Sequence, residues 1–277
     1  MKSRTRDQRS SDELKTARQW AKLGYVAKDG ETGEEMWTNC FCRQTAVYFT
    51  SEQVKSATKE EIDAFFAPER AVRRERAAKV RDANKAIRNR KNLIQNAMEL
   101  PPIEVANHSG IVVFDVETTG LDAIEDEILQ FSAIDGDGNV LLDTYVRPYI
   151  KKEWMSAQRI HGISPAYVAH APQMHELIPL LRGIFASANL LVSYNGTFDM
   201  DFLAQSGIKL YDIEHYDVMK EFAPIYGDWN EYHQNYKWQK LSTCASYFGY
   251  EFKAHDSLED VRATLFCYRE MVQKKRG

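Results

Sequence analysis

The stretch Phe114-Asp115-Val116-Glu117-Thr118-Thr119-Gly120 closes the most telling apolar run of the chain, Ile111 to Val116. A short continuous apolar run of this kind reads as a buried strand. Alternate side chains of a strand share a face, so Asp115 and Glu117 project together. Neighbouring carboxylates at the end of an apolar strand repel each other and lose hydration, and a divalent cation is the natural offset. Taken alone, the pair also fits a solvated strand end, so its meaning depends on what the rest of the fold brings near it.

Working outward, Ile128 to Ile134 and Val140 to Val146 supply two further strands, with Gly136-Asp137-Gly138-Asn139 turning one into the other as a hairpin. Gln173 to Ala186 reads as a helix with a kink at Pro179, and Leu190 to Tyr194 as another buried strand. Helical patterns follow at Phe198 to Gln205, Gln239 to Phe248 and Ser257 to Gln273. Strands first, then strands mixed with helices, make an α/β domain.

Two later segments carry chemistry. In Tyr194-Asn195-Gly196-Thr197-Phe198-Asp199 a strand runs through a glycine-containing turn into a helix, and Asp199 falls in the first helical turn, where the dipole favours an anion. Tyr194 and Phe198 read chiefly as core. In His255-Asp256-Ser257-Leu258-Glu259-Asp260, Ser257 and Asp260 have capping-box spacing, which starts a helix at Leu258 and leaves His255 in the loop before it. From there His255 and Asp260 can converge on one point. Each segment alone has a plain structural reading: a helix-start acid, an exposed loop histidine. Together they offer four carboxylates and an imidazole, which suit two-metal phosphodiester hydrolysis. Carboxylate oxygens favour Mg²⁺ or Mn²⁺ over zinc, and an imidazole is the side chain suited to taking a proton from water near neutral pH.

These motifs resemble those of the DnaQ-like 3′–5′ exonucleases of the DEDDh type. Asp115 to Gly120 is similar to the first motif, Asn195 to Asp199 to the second, and His255 to Asp260 to the third. The variant with a tyrosine base has Tyr four residues before the last Asp; Asp256 stands there, which favours the histidine type. His161-Gly162-Ile163-Ser164 resembles a further loop of the family, and the similarity runs over roughly 108–273. The resemblance implies an RNase H-like fold, a five-stranded mixed sheet flanked by helices. It implies that Asp115, Glu117, Asp199 and Asp260 hold two ions, Mg²⁺ or Mn²⁺, and that His255 is the general base. It puts Thr118, Thr119 and Leu121, with Asn195 and Phe198, near the terminal nucleotide. Ser257 stands where the family usually has Ala; its hydroxyl can cap the helix or contact a metal ligand.

The chain of 277 residues has a net charge of −4 that hides an asymmetry. Residues 1–100 hold 21 Lys+Arg against 15 Asp+Glu, and residues 101–277 hold 15 against 25. Three parts are expected: a small α+β module of unknown role over 1–68, a basic helical linker over 69–100, and the exonuclease domain over 101–277. In the first, Asp12 to Leu23 reads as a helix and Tyr25-Val26 and Trp37 to Phe41 as strands joined by a hairpin loop at Asp29 to Gly33. Thr45 to Phe49 reads as a third strand, and Thr58 with Glu61 as the capping box of a short helix. Trp20, Trp37 and Tyr48 read as core. Glu69 to Leu100 contains no Gly or Pro; ten Lys/Arg against two acids lie between Arg70 and Lys91, and Val72, Val80, Ile87 and Ile94 form a thin apolar stripe. Such a helix is either a solvated face or a track for a phosphate backbone. Pro101-Pro102 ends it.

Several classes fall away. No run reaches the length of a membrane span, no apolar stretch follows the charged first residues as in a secretory signal, and four cysteines are too few for a disulfide scaffold, so a reducing cytoplasm is expected. Cys40-x-Cys42 lacks partners for a zinc site within residues 1–107. No phosphate-binding Gly-x-x-x-x-Gly-Lys-[Ser/Thr] motif occurs. The aromatic stretch Gly227 to Lys240 reads as a packed inserted loop, with base stacking as the alternative. The expected partners are nucleic acid, DNA ahead of RNA, and a polymerase or repair protein through residues 1–100. The expected function is a metal-dependent exonuclease releasing nucleoside monophosphates from 3′ ends; the alternative is an idle nuclease fold that binds nucleic acid or docks onto a polymerase complex.

Overall fold

The structure, a computed structural model, describes residues 14–39 and 44–276; Cys40, Cys42 and the first residues of the expected Asp12–Leu23 helix lie outside them. The chain divides into two compact units, residues 1–82 and 83–277.

In the first unit, β1 (Lys15–Thr16) leads into α1 (Ala17–Lys22), then β2 (Tyr25–Ala27), β3 (Glu34–Asn39), β4 (Gln44–Phe49) and β5 (Val54–Ser56). Helix α1 starts only at Ala17 because Thr16 and Gln19 cap it reciprocally. The expected hairpin across Asp29 to Gly33 does not form: β2 pairs with β5, while β3 pairs with β4. Packing overrides the turn signal here. Trp20 gathers Phe49 and Val54 with Ala17 and Ala27 into the small core, donating its indole N–H to the Phe49 carbonyl at 2.9 Å.

The short helix and the basic helix expected from sequence are one element, α2 (Lys59–Glu99), which runs through Pro68. Its capping box is as expected, Thr58 N–H to Glu61 Oε2 at 2.8 Å and Glu61 N–H to Thr58 Oγ1 at 3.2 Å. A proline removes one helical hydrogen bond; Arg70 bridges that stretch by donating to the Asp63 carbonyl and carboxylate. The apolar stripe is not buried along its length, since Val72, Val80 and Ile87 are exposed. Only its last turns pack: Ile94, Ala97 and Met98 join the core of the second unit.

The second unit is built on a five-stranded sheet of β6 (Ile111–Thr118), β7 (Ile128–Asp135), β8 (Val140–Tyr145), β9 (Leu190–Ser193) and β10 (Glu214–Asp217), in the order β10-β9-β6-β7-β8. Strands β7 and β8 run antiparallel to their neighbours, and β9 and β10 run parallel to β6. Between β8 and β9 lie α3 (Met155–His161), α4 (Pro165–Val168) and α5 (Met174–Ala186); α6 (Gly196–Gln205) follows β9. After β10 come α7 (Val218–Tyr226), the hairpin β11 (Trp229–Asn230) and β12 (Asn235–Tyr236), α8 (Leu241–Tyr247) and α9 (Ser257–Arg276). Helix α5 continues through Pro179.

One sheet face, with Val112, Phe114, Val116 and Phe131, packs under α5 and α6. The other, with Val113, Ile134 and Val192, packs under α7, α8 and α9. This mixed sheet between two helical layers is the RNase H-like fold the resemblance implied. Strand β10 is invisible in the sequence, because the four residues Glu214–Asp217 carry no apolar run; helices α3, α4 and α7 are further additions of the structure. Tyr232 and Trp238 of the aromatic insertion are 88% and 63% exposed, so the packed-loop reading does not hold for them.

Candidate active site

Asp115 and Glu117 end β6 at the point where the sheet order reverses, the place where open α/β sheets leave a crevice at their carboxyl ends. Strand β9 accompanies β6 only from Ile111 to Val113. Beyond it Asp199, in the first turn of α6, takes up the backbone: its Oδ1 accepts from the Val116 N–H at 3.0 Å. The turn that delivers Asp199 is tightly specified. Asn195 sits at φ 63°, a left-handed conformation that Asn tolerates better than most residues. Gly196 has no room for a side chain, since a Cβ would overlap Ser193 Oγ and come within 2.5 Å of His215 Nε2.

Asp260 arrives from α9. The helix begins at Ser257, not Leu258, because Asp256 is the cap, accepting from Leu258 and Glu259 N–H at 3.2 and 3.4 Å. Ser257 is thereby freed, and its hydroxyl donates to the Asp115 carbonyl at 2.9 Å. His255 lies in the preceding loop, exposed and at φ 70°, with its N–H donated to Asp260 Oδ2 at 3.2 Å. One ligand atom each from Glu117, His255 and Asp260 lie within 4.8 Å of one another, the one such group of three among the described residues. Asp115 and Asp199 stand outside that tightest group but inside its field.

The electrostatics are those of crowded, dehydrated acids. Burial first, then the charges of Asp199, Asp260 and Glu117, holds the Asp115 carboxyl well above its ordinary range. Burial, then Asp260 and Asp199, pushes Glu117 up to about 8. Burial raises Asp199 to about 8 against the opposing Val116 hydrogen bond, and raises Asp260 to about 7. Asp260 Oδ1 is buried without a hydrogen-bond partner among the described residues. A buried, unpartnered carboxylate oxygen amid three other acids fits a hard divalent cation.

The remaining expected residues differ in placement. Thr118 and Thr119 are buried, and their hydroxyls shape the loop: Thr118 donates to the Gly120 carbonyl at 2.6 Å, Thr119 to Asp126 Oδ1 at 2.9 Å. Leu121 is 87% exposed. Asn195 is exposed, and Phe198 is half-buried against Phe202. His161 closes the loop from the other side. Ile163 N–H donates to its Nδ1 at 3.0 Å, so the ring proton sits on Nε2, 3.2 Å from the Thr118 carbonyl. Burial and the nearby His255 keep the His161 pKa low.

One acid escaped the sequence reading. Asp217 ends β10, caps α7 through Met219 and Lys220 N–H, accepts from Asn195 N–H at 3.2 Å and pairs with Lys220 at 3.1 Å. It braces the Asn195 turn that presents Asp199. No motif marks it; its signal is positional, an acid at the end of a strand parallel to β9.

A mixed RNase H-like sheet with acids converging at the end of its central strand defines a nuclease. The family model described as Exonuclease, of RNase T type, matches residues 112–268, more than half of the chain, and the chain belongs to this DnaQ-like exonuclease family. It is 30% identical over 178 residues to the PolC-type DNA polymerase III of Caldanaerobacter subterraneus subsp. tengcongensis, covering 62% of this chain and 12% of that one. It is 28% identical over 170 residues to the PolC-type DNA polymerase III of Bacillus subtilis, covering 58% and 11%. The chain thus spans about an eighth or less of the length of these relatives. Among solved structures, Escherichia coli exonuclease I in complex with a dA16 oligonucleotide aligns at a TM-score of 0.49 and 21% identity, over 59% of this chain and 40% of that one. No helix among the described residues is long and apolar enough to cross a membrane.

Proposed function

We propose that this chain is a metal-dependent 3′–5′ exonuclease that releases nucleoside 5′-monophosphates from nucleic-acid 3′ ends. The observation that carries this reading is the approach of Glu117 and His255 to Asp260, whose buried Oδ1 has no hydrogen-bond partner among the described residues, with the raised carboxyls of Asp115 and Asp199 close by. Asp115, Glu117, Asp199 and Asp260 would hold two divalent cations, Mg²⁺ or Mn²⁺, whose charge supplies Lewis-acid polarisation of the scissile phosphate and lowers the pKa of the attacking water.

The protein's own part is positioning and proton transfer. Strand β6, Asp199 and the Ser257 hydroxyl lock the first two acids in place before substrate arrives. His255 accepts the proton of the attacking water on a ring nitrogen as the P–O3′ bond breaks, and the 3′ oxygen of the shortened strand departs. Its main chain, tied to Asp260, fixes the ring next to the carboxylates.

The DNA polymerases among the relatives favour DNA over RNA as substrate. They also favour a polymerase or repair assembly as the setting, with residues 1–100 as the docking part and the basic stretch Arg70–Lys91 as a phosphate track. The test is a panel of end-labelled oligonucleotides, DNA and RNA, with free or blocked 3′ ends, in Mg²⁺, Mn²⁺ or chelator. Stepwise shortening of free 3′ ends, abolished by chelator and by Asp115→Ala, is expected; a chain inert with both metals would remove the enzyme reading.

A further inference from the structure

The face of the sheet that carries the acids continues past them onto β7 and β8. Gln130 of β7 stands opposite Glu117 on one side and opposite Tyr145 of β8 on the other. Directly opposed residues of neighbouring strands point to the same face, so Glu117, Gln130 and Tyr145 form one row. With strands spaced about 4.8 Å apart, Tyr145 lies about 10 Å from Glu117, roughly three base steps of 3.4 Å along a strand. The parallel row runs Asp115, Ser132 and Asp143. Asp143 accepts from Ser132 Oγ at 2.8 Å and from Gln130 Nε2 at 3.1 Å, which fixes the surface between the acids and Tyr145.

Tyr145 stacks on Tyr167 of α4, ring centroids 6.1 Å apart and planes 28° from parallel. The pair is not core: Tyr145 is 39% and Tyr167 65% exposed, and neither phenol makes a hydrogen bond among the described residues. Its base is nonetheless rigid. Val168 beside Tyr167 is buried with Leu129, Trp154 and Ile163, and the Trp154 indole donates to the Ile163 carbonyl at 2.8 Å. Burial, then the charges of Asp256 and Asp143, raises the Tyr145 phenol above its ordinary range.

Two stacked and partly exposed rings, one of them in the same row as a candidate metal ligand, suit a flat π-system that continues the stack. We propose that Tyr145 and Tyr167 form a stacking platform for an unpaired base a few nucleotides from the 3′ end that lies at the acid cluster. The proposal rests on the exonuclease reading above and extends it to a substrate class. A base inside a duplex has both faces covered by its neighbours, so a ring platform engages single-stranded ends and tolerates any base, since every base offers a π-face.

The test compares the parent with Tyr167→Ala and Tyr145→Leu on two substrates in Mg²⁺: a single-stranded DNA 12-mer, and the p-nitrophenyl ester of thymidine 5′-monophosphate, too short to reach the pair. The ratio of 12-mer to ester kcat/KM is expected to fall about 5- to 100-fold in each variant, with the change in KM. Tyr167→Trp is expected to restore the ratio. An unchanged ratio overturns the platform, including the case where the pair serves a protein surface instead. If the parent cleaves neither substrate, the exonuclease reading fails, and fluorescence anisotropy of a labelled 12-mer decides the platform separately. Weaker binding by Tyr167→Ala supports it, and equal binding overturns it.

Discussion

The hydroxyl of Ser257 donates to the main-chain carbonyl of Asp115 at 2.9 Å, tying the first residue of α9 to the strand that carries the first two acids across 142 positions of sequence. Asp260 sits one helical turn further on, so this bond sets the spacing between the acids of β6 and the acid of α9. Ser257 is fully buried, and removing its hydroxyl leaves a carbonyl without its donor. Ser257→Ala is therefore expected to destabilise the protein by about 1–3 kcal/mol in urea unfolding. It should also slow hydrolysis by up to about 10²-fold through misplacement of the acids. A variant that keeps both stability and rate would show that the helix is positioned by packing alone.

The raised carboxyls make a sign-specific prediction for stability. Glu117 and Asp199 at about 8 and Asp260 at about 7 in the folded protein exceed the carboxylate values near 4 of an unfolded chain. The folded state therefore binds more protons across that window, and their stabilising contribution, full below about pH 4, is lost as pH rises towards about 8. In chelator, Tm should fall between pH 5 and pH 8.5; millimolar Mg²⁺ should recover the loss at the alkaline end, because it binds the ionised acids. A chelator profile that rises over this range would contradict the crowded-acid description.

His255 carries its role in its side chain and its loop geometry in its backbone, which makes the two separable. Asparagine tolerates the left-handed conformation at φ 70° and keeps the N–H given to Asp260 Oδ2. His255→Asn is expected to retain the fold and metal affinity while turnover drops about 10²–10⁴-fold. Calorimetric Mg²⁺ titration beside single-turnover rates checks this; a loss below tenfold would reduce His255 to a positioning residue.

Why some of this was legible in the sequence, and some not, comes down to range. Asp115 and Glu117 could be read because strand alternation is local, and Asp199 because a strand, a turn and a helix follow one another within ten residues. The Thr58–Glu61 box was equally local. What decided the β2–β5 pairing was Trp20, which sits in α1 and collects Phe49 and Val54 from far along the chain; no turn motif reports that. Asp217 was invisible for the same reason, since its neighbour Asn195 is 22 positions away. The choice of Asp256 over Ser257 as the helix cap turned on a carbonyl of β6 that claims the serine.

Gly196 is a position where a single methyl group tests the turn. Its Cβ would enter the space of Ser193 Oγ, which is bonded to His215 Nε2 at 2.7 Å, so neither neighbour can simply swing aside. Gly196→Ala is expected to cost about 1–3 kcal/mol by overpacking and to shift Asp199 away from the Val116 N–H, lowering activity more than stability alone explains. Activity measured well below the variant's Tm separates the two effects.

The basic stretch of α2 can be probed without touching the nuclease core, provided the charge is changed and the chain is not cut. Ile94, Ala97 and Met98 at its end are packed into that core, so truncation at residue 100 would open it. Arg73, Arg76 and Lys79 are exposed and lie far from that end. If they follow a phosphate backbone, replacing all three with Gln should reduce the slope of log Kd against log salt by about two for single-stranded DNA, with Tm little altered. An unchanged slope, together with lost retention on a polymerase partner, would assign the same face to protein docking.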